Sequence, residues 1–204
     1  MLEKLAEPTV FVVDDDASVR EALASLIASV ALHVECFATP GEFLHRARND
    51  NPSCVVLDVR MPGLSGLEVQ QRLAHTGRKM PVIFISAHGD IPMAVRAMKE
   101  GAVEFLPKPF RDEDLLSAIR QALDHDAIAV TQRAEAFAIR ERYARLTARQ
   151  RQIVALIVEG RLNKQIAAQL GLSENTVKVH RHRIMDRMAA SSVVELARMI
   201  ERLA

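Results

Sequence analysis

Cysteine is scarce in this 204-residue chain: Cys36 and Cys54 are the two present. Two are too few for a disulfide framework or a zinc site; Cys54 opens the apolar run CVVL, and both read as buried free thiols. Long hydrophobic runs are also missing. The most apolar stretch, ALASLIASVAL from Ala22 to Leu32, has eleven residues and includes two serines, against about 20 apolar residues needed to cross a bilayer. The amino-terminal MLEKLAEP carries two glutamates and no apolar core, which excludes a secretory signal and places the chain, as an expectation, in the cytoplasm. Glycine is absent between Gly101 and Gly160, and all eight prolines lie at or before Pro109. Nothing from Phe110 to Glu159 therefore breaks a helix. What remains is globular composition, 49% hydrophobic and 26% charged, which excludes a disordered chain. The length fits one large domain or two ordinary ones.

The net charge of +1 hides an asymmetry between halves. Residues 1–124 hold 13 Lys/Arg against 18 Asp/Glu, a net of −5, while residues 125–204 hold 14 against 8, a net of +6. A basic carboxyl-terminal end suits a polyanion, and an acidic amino-terminal end does not.

The two halves also differ in hydrophobic pattern. Through residue 124, short β-branched apolar runs (TVFVV, HVECF, CVVLDV, PVIFISA, EFLPKP) alternate with amphipathic stretches. Five such units predict a doubly wound parallel sheet with helices on both faces, whose strands read as unbroken apolar runs because both faces are covered. The final 60 or so residues predict four helices: Thr147 with Gln150 forms a capping box, Asn163 opens a short second helix, Ser173 a third, and Ser192 with Glu195 a fourth. Gly171 permits the tight turn between the second and third. Between the halves the unbroken stretch predicts a helical connection. The expected division is thus 1–124, a helical linker over 125–142, and 143–204. Leu123, Ala127, Val130, Ala134 and Phe137 recur at spacings of four and three along that helix, a weak seam for pairing.

In an open parallel sheet, ligands bind beyond the carboxyl ends of the strands where strand order reverses. Those ends carry Asp14, Asp15 and Asp16 after the first strand, Asp58 at the third, Ser86 at the fourth and Lys108-Pro109 at the fifth. Any one aspartate here could simply cap a helix or sit in a polar turn. Together, carboxylates repel by about 4 kcal/mol per pair at 4 Å and an effective dielectric near 20. Something cationic must offset that, and carboxylates with a backbone carbonyl suit Mg²⁺. A carboxylate can also act as a nucleophile toward phosphorus while a metal, a lysine and a hydroxyl hold the phosphoryl oxygens.

VFVVDDD, VVLDVRMPGLSG, FISAHGD and EFLPKPF, in this order across residues 9 to about 124, resemble the receiver domain of two-component response regulators. The resemblance implies that Asp58 is the phosphoryl acceptor. It implies that Asp14, Asp15 and Asp58, with the backbone carbonyl of Arg60, hold Mg²⁺. Ser86 is then the hydroxyl that moves onto the phosphoryl group, Lys108 its ion-pair partner and Phe105 the switch aromatic, with a cis peptide expected at Lys108-Pro109. Arg60 and His88, each two residues beyond a site residue, are expected to tune the lifetime of the phosphoryl group. A phosphoryl group adds roughly −1.5 to −2 charge and three acceptor oxygens, enough to draw in a hydroxyl and an ammonium group. Movement of Ser86 would vacate space for Phe105 and alter the surface of the helix from Ile91 to Lys99 and the fifth strand.

The basic half has its own pattern. On a helical wheel of the third helix, Val177, Ile184 and Met188 share a core face, with Asn175, Lys178, Val179 and His182 opposite. An outward valine suits a thymine methyl group in a major groove. Arg181, Arg183 and Arg187 fall toward the edges, where phosphates would lie. NKQIAAQLGLSENTVKVHRHRIM resembles the LuxR-type helix-turn-helix domain. Gln150 and Gln152 stand where that family often has acidic residues, a departure that weakens the expectation of its usual first-helix packing. The two resemblances together indicate the FixJ/NarL class: a phosphorylation-dependent DNA-binding transcriptional regulator and no enzyme. Its implied partners are a sensor histidine kinase, double-stranded DNA, RNA polymerase and, on phosphorylation, a second copy of itself, with no membrane.

Two alternatives have their own tests. A Mg²⁺-dependent aspartyl phosphohydrolase would carry a general acid two residues after its nucleophile, but Val59 and Arg60 follow Asp58; multiple turnovers on a phosphomonoester would favour it. A receiver joined to a protein-binding helical module would fail to bind random DNA at low salt.

Overall fold

The computed structural model describes residues 7–46, 51–75, 80–87 and 90–203. The chain divides into two compact units, residues 1–130 and 131–204.

In the first unit, strands β1 (Thr9–Val13), β2 (His33–Phe37), β3 (Ser53–Asp58), β4 (Val82–Ser86) and β5 (Glu104–Pro107) alternate with helices α1 (Ala17–Ser29), α2 (Pro40–Arg46), α3 (Gly66–His75) and α4 (Ile91–Lys99), followed by α5 (Asp112–Ala144). The sheet is parallel throughout, in the order β2-β1-β3-β4-β5. Successive side chains on a strand face opposite ways, so each central strand feeds two cores. Phe11, Val13, Val55, Leu57 and Phe84 pack with Phe43, Val69, Leu73 and Ala97 of α2, α3 and α4. Their neighbours Val10, Val12, Cys54, Val56, Ile83 and Ile85 pack with Leu23 and Ile27 of α1 and with Leu115, Ile119 and Leu123 of α5. This double coverage explains the unbroken apolar runs of the sequence. Cys54 is a buried free thiol, as expected, but Cys36 is exposed rather than buried, because it lies on β2, the edge strand that pairs only with β1; burial pushes the Cys54 thiol far up.

One buried polar contact ties α5 to the sheet. The Asp126 carboxylate accepts a hydrogen bond from the backbone N–H of Ser53 at 2.9 Å, satisfying a donor at the start of β3 that has no place in the ladder.

Helix α5 runs unbroken for 33 residues, so the glycine- and proline-free connection is helical. Leu123, however, is buried in the sheet unit's core, which removes it from the expected pairing seam; Phe137 remains 67% exposed.

In the second unit, α6 (Ala148–Val158), α7 (Asn163–Leu170), α8 (Glu174–Met188) and α9 (Val193–Glu201) enclose a core of Ile153, Val154, Ile157, Ile166, Val177, Ile184, Met188 and Leu196, to which α5 contributes Ile139. Three of the caps read in the sequence are formed, whereas α7 starts with Asn163 already inside the helix: Leu162 holds the cap position and its N–H donates to Gln165 Oε1 at 2.8 Å. Thr147 and Gln150 make the reciprocal box on α6, Ser173 accepts from the N–H of Thr176, and Ser192 accepts from that of Glu195. Gly171 adopts φ 65° at the end of α7, a left-handed conformation that glycine takes without a Cβ penalty. Among the described residues no helix is long and apolar enough to cross a membrane.

Candidate functional site

Three of the sequence-nominated side chains meet where the strand order reverses, between β1 and β3. Lys108, just past β5, places Nζ 2.8 Å from Asp14 Oδ2 and 3.1 Å from Asp58 Oδ1. The two carboxylates are 1% and 6% exposed. A buried anion pair is unfavourable, and the single ammonium group offsets it only in part. Burial foremost, with the charge of Asp14, holds the Asp58 carboxyl above its ordinary range despite the hydrogen bonds from Lys108 and Arg60. Burial works in the opposite direction on Lys108, but its hydrogen bonds to Asp14 and Asp58 and their charges outweigh it, and its pKa is raised. The site thus stores negative charge in a nearly dry place.

The backbone around it is fixed at each strand end. The N–H of Arg60 donates to Asp58 Oδ2 at 2.8 Å. The N–H of Lys108 donates to the Ser86 carbonyl at 2.8 Å, which sets the buried Ser86 beside the lysine, and the peptide Lys108-Pro109 is cis. Gly66, the first residue of α3, donates its N–H to the Val59 carbonyl at 3.0 Å. A Cβ at Gly66 would lie 2.5 Å from the Asp58 carbonyl oxygen, so the helix approaches the Asp58 backbone as closely as only glycine permits. Phe105 is half-buried, its ring 6.2 Å from that of Phe84.

Asp14 has every polar atom engaged. Its N–H donates to the Phe37 carbonyl at 3.3 Å, and its Oδ1 accepts from the N–H of Asp16 at 2.9 Å. Its carbonyl accepts from Arg20 Nη1 at 2.7 Å. Asp15 by contrast is exposed. Among the described residues no three His, Cys, Asp or Glu side chains close on a common point; Lys108 stands between the two buried aspartates instead. His88 lies outside the described residues. A cavity of about 630 Å³ lined by Leu73, Met80, Val82, Ala102, Val103 and His125 sits toward the amino ends of β4 and β5, at the other end of the strands from these carboxylates.

On α8, Asn175, Lys178, Val179, His182 and Arg183 are exposed and Arg181 is half-buried. Val179 is 44% exposed on a helix whose opposite face is core. His182 Nε2 is 3.5 Å from Asp186 Oδ2. Arg187 departs from the expected phosphate edge: it donates to Gln150 Oε1 at 2.8 Å and to the Arg145 carbonyl at 3.4 Å. Gln150 therefore serves the α6 cap and the α8 end at once, so an amide at this position does not weaken first-helix packing as the sequence suggested.

The sequence profile of the response regulator receiver domain matches residues 10–120, and that of the bacterial regulatory proteins of the luxR family matches residues 144–200. The chain belongs to the response-regulator family. This response regulator is 50% identical over 200 residues to the response regulator protein TmoT of Ectopseudomonas mendocina, covering 97% of this chain and 90% of that protein. It is 45% identical over 201 residues to nodulation protein W of Bradyrhizobium diazoefficiens, covering 98% and 88%. Among solved structures, the response regulator StyR superposes with a TM-score of 0.87 at 48% identity, covering 97% of this chain and all (100%) of that one. Full-length FixJ from B. japonicum superposes at 0.56 with 38% identity, covering 96% of each. The chain is a receiver joined to a LuxR-type DNA-binding domain, the organisation of a transcriptional response regulator.

Arg20 and Gly66 were not singled out in the sequence. Arg20 acts on a backbone carbonyl, which leaves no pairing signal. Gly66, the last residue of the run GLSG, acts through the side chain it lacks, which leaves no chemical signal in the sequence.

Proposed function

We propose that residues 1–124 receive a phosphoryl group on Asp58 from a sensor histidine kinase or a small phosphodonor, that 125–142 form the helical linker, and that 143–204 bind DNA in response. The observation that supports this best is Lys108 Nζ held between Asp14 Oδ2 and Asp58 Oδ1 at 2.8 and 3.1 Å, at the carboxyl end of a parallel sheet where strand order reverses. An oxygen of Asp58 forms the bond to phosphorus while the P–N bond of a phosphohistidine, or the P–O bond of an acyl phosphate, breaks and its electron pair leaves with the donor. The raised Lys108 stays protonated throughout and faces the incoming oxygens, and Ser86, fixed at the next strand end, supplies the hydroxyl that settles on the phosphoryl group. Phe105 then turns into the space Ser86 leaves.

The donor set fits Mg²⁺: hard oxygens from Asp14, Asp15, Asp58 and the Arg60 carbonyl. Bound there, Mg²⁺ supplies charge neutralisation for the phosphoryl oxygens. Arg60, exposed beside Asp58, tunes the lifetime of the acyl phosphate with His88. The protein works as a switch and not as a turnover enzyme, since Val59 and Arg60 follow Asp58 and neither is a general acid.

Phosphorylation promotes a homodimer. Ile91, Val95 and Met98 recur at helical spacing on α4 and are 81%, 46% and 44% exposed, an apolar stripe suited to a second copy. On DNA, Lys178, Val179 and His182 read base edges, with Asn175 beside them, while Arg181 and Arg183 bind phosphates. RNA polymerase is the partner downstream. Intact-mass measurement after acetyl phosphate and Mg²⁺ should show one added phosphoryl group in the wild type and none in Asp58→Ala, with tighter DNA binding only in the modified protein. An adduct that persists in Asp58→Ala refutes the assignment.

A further inference from the structure

The loop after β1 is held from more directions than a helix start requires. Asp16 caps α1 by accepting from the N–H of Ser18 at 2.8 Å, which already satisfies the local need. Arg20, in the first turn of α1, nevertheless sends its guanidinium back to the Asp14 carbonyl at 2.7 Å. Its backbone N–H is separately engaged with the Asp16 carbonyl at 3.1 Å. The Asp14 carbonyl and the Asp15 N–H share one rigid peptide plane. A donor locked onto that carbonyl therefore fixes the plane from which the Asp15 side chain departs. The Asp14 side chain needs no such help, because Asp16 N–H and Lys108 Nζ hold both its oxygens. Asp15 does: it is exposed and accepts no hydrogen bond among the described residues, so its carboxylate has no direct restraint.

We propose that Arg20 is a positioning residue for the metal site, acting through the Asp14–Asp15 peptide to aim the Asp15 carboxylate at the divalent cation. The proposal rests on the reading of Asp14, Asp15 and Asp58 as the metal-holding set. Arg20 touches none of the three carboxylates in the hydrogen bonds it makes, so its contribution is orientation, the role of groups that hold metal ligands in place.

The test uses the full chain without any phosphodonor. Mn²⁺ binding is followed by electron paramagnetic resonance and Mg²⁺ binding by its competition, in the wild type, Arg20→Met, Asp15→Asn and the double variant. Arg20→Met keeps the length and apolar stem of the side chain and loses the donor. It should weaken binding about tenfold, the low end for loss of a ligand-orienting group, with the protein still folded by circular dichroism. In the Asp15→Asn background the same change should add less than twofold, because the carboxylate it orients is gone. Full additivity in the double variant, or unaltered binding in Arg20→Met beside weakened binding in Asp15→Asn, overturns the proposal while leaving the metal site intact. Unaltered binding in Asp15→Asn itself overturns the metal reading on which the proposal stands.

Discussion

Replacing Gly66 with alanine should slow phosphoryl acceptance and destabilise the receiver, and the sign of the stability change is itself diagnostic. Gly66 opens α3 with an ordinary helical backbone, so alanine is conformationally acceptable there and, by restricting the unfolded chain, would stabilise by about 0.4–1 kcal/mol if space allowed. Space does not allow it. The new Cβ would stand 2.5 Å from the Asp58 carbonyl oxygen, 3.1 Å from Val59 Cα and 3.1 Å from Phe84 Cε1. Ordinary contact begins near 3.4 Å, so the first overlap alone demands a displacement of about 1 Å. Two of the three obstacles are backbone, and Val59 is tied to Ile85 by a 3.1 Å hydrogen bond in the sheet. Overpacking of this kind costs about 1–3 kcal/mol, and an error of about 1 Å in a reacting group can cost on the order of 100-fold in rate. Hydrogen exchange at the β1, β3 and β4 amides gives the stability of this unit; acetyl phosphate with Mg²⁺ gives the rate. Slower acceptance by at least tenfold with lowered protection is expected. Raised protection with a rate within twofold of wild type would refute the close-approach argument.

Other outcomes follow from the same contacts. Asp126→Ala strands the buried N–H of Ser53 and should cost about 1–3 kcal/mol, whereas Asp126→Asn, which keeps an acceptor, should cost less; equal losses in urea titrations would contradict this. Because the folded pKa of Asp58 is raised, its favourable contribution exists below the unfolded value and is lost as pH rises through the folded one. Asp58→Asn should therefore be more stable than wild type at neutral pH, with the gap closing on acidification; a gap that widens in acid would be inconsistent with the buried-charge account. Lys178→Ala should lose about 1–3 kcal/mol of discrimination between specific and random DNA, while Arg183→Ala should weaken both and lower the salt slope by about one; the reverse pattern in a salt series would exchange their roles.

Much of this was legible because the physics is local. Val10 to Val13 and Cys54 to Leu57 read as double-faced strands since each residue has its own core to enter, and Thr147, Ser173 and Ser192 read as caps since their partners lie three residues on. Asp14, Asp58 and Lys108 could be grouped because strand ends converge whatever the intervening sequence. What escaped depends on three-dimensional neighbours. Arg187 is indistinguishable from Arg183 on a wheel, and only the fold reveals that Gln150 and the Arg145 carbonyl claim its guanidinium. Leu123 fits a heptad seam by spacing, but the sheet claims it first. Arg20 looks like any exposed-face arginine of an amphipathic helix until the Asp14 carbonyl is found against it.

The central claim is that Asp58 carries the phosphoryl group, and chemical trapping tests it most directly. Borohydride reduces an acyl phosphate on aspartate to homoserine, so treating the chain with acetyl phosphate and Mg²⁺, reducing it and sequencing its peptides by tandem mass spectrometry locates the modified residue. The account predicts homoserine at position 58 alone, dependent on phosphodonor and metal. Homoserine at position 14 or 15, or no conversion at 58 under conditions that add a phosphoryl group to the intact protein, would contradict it.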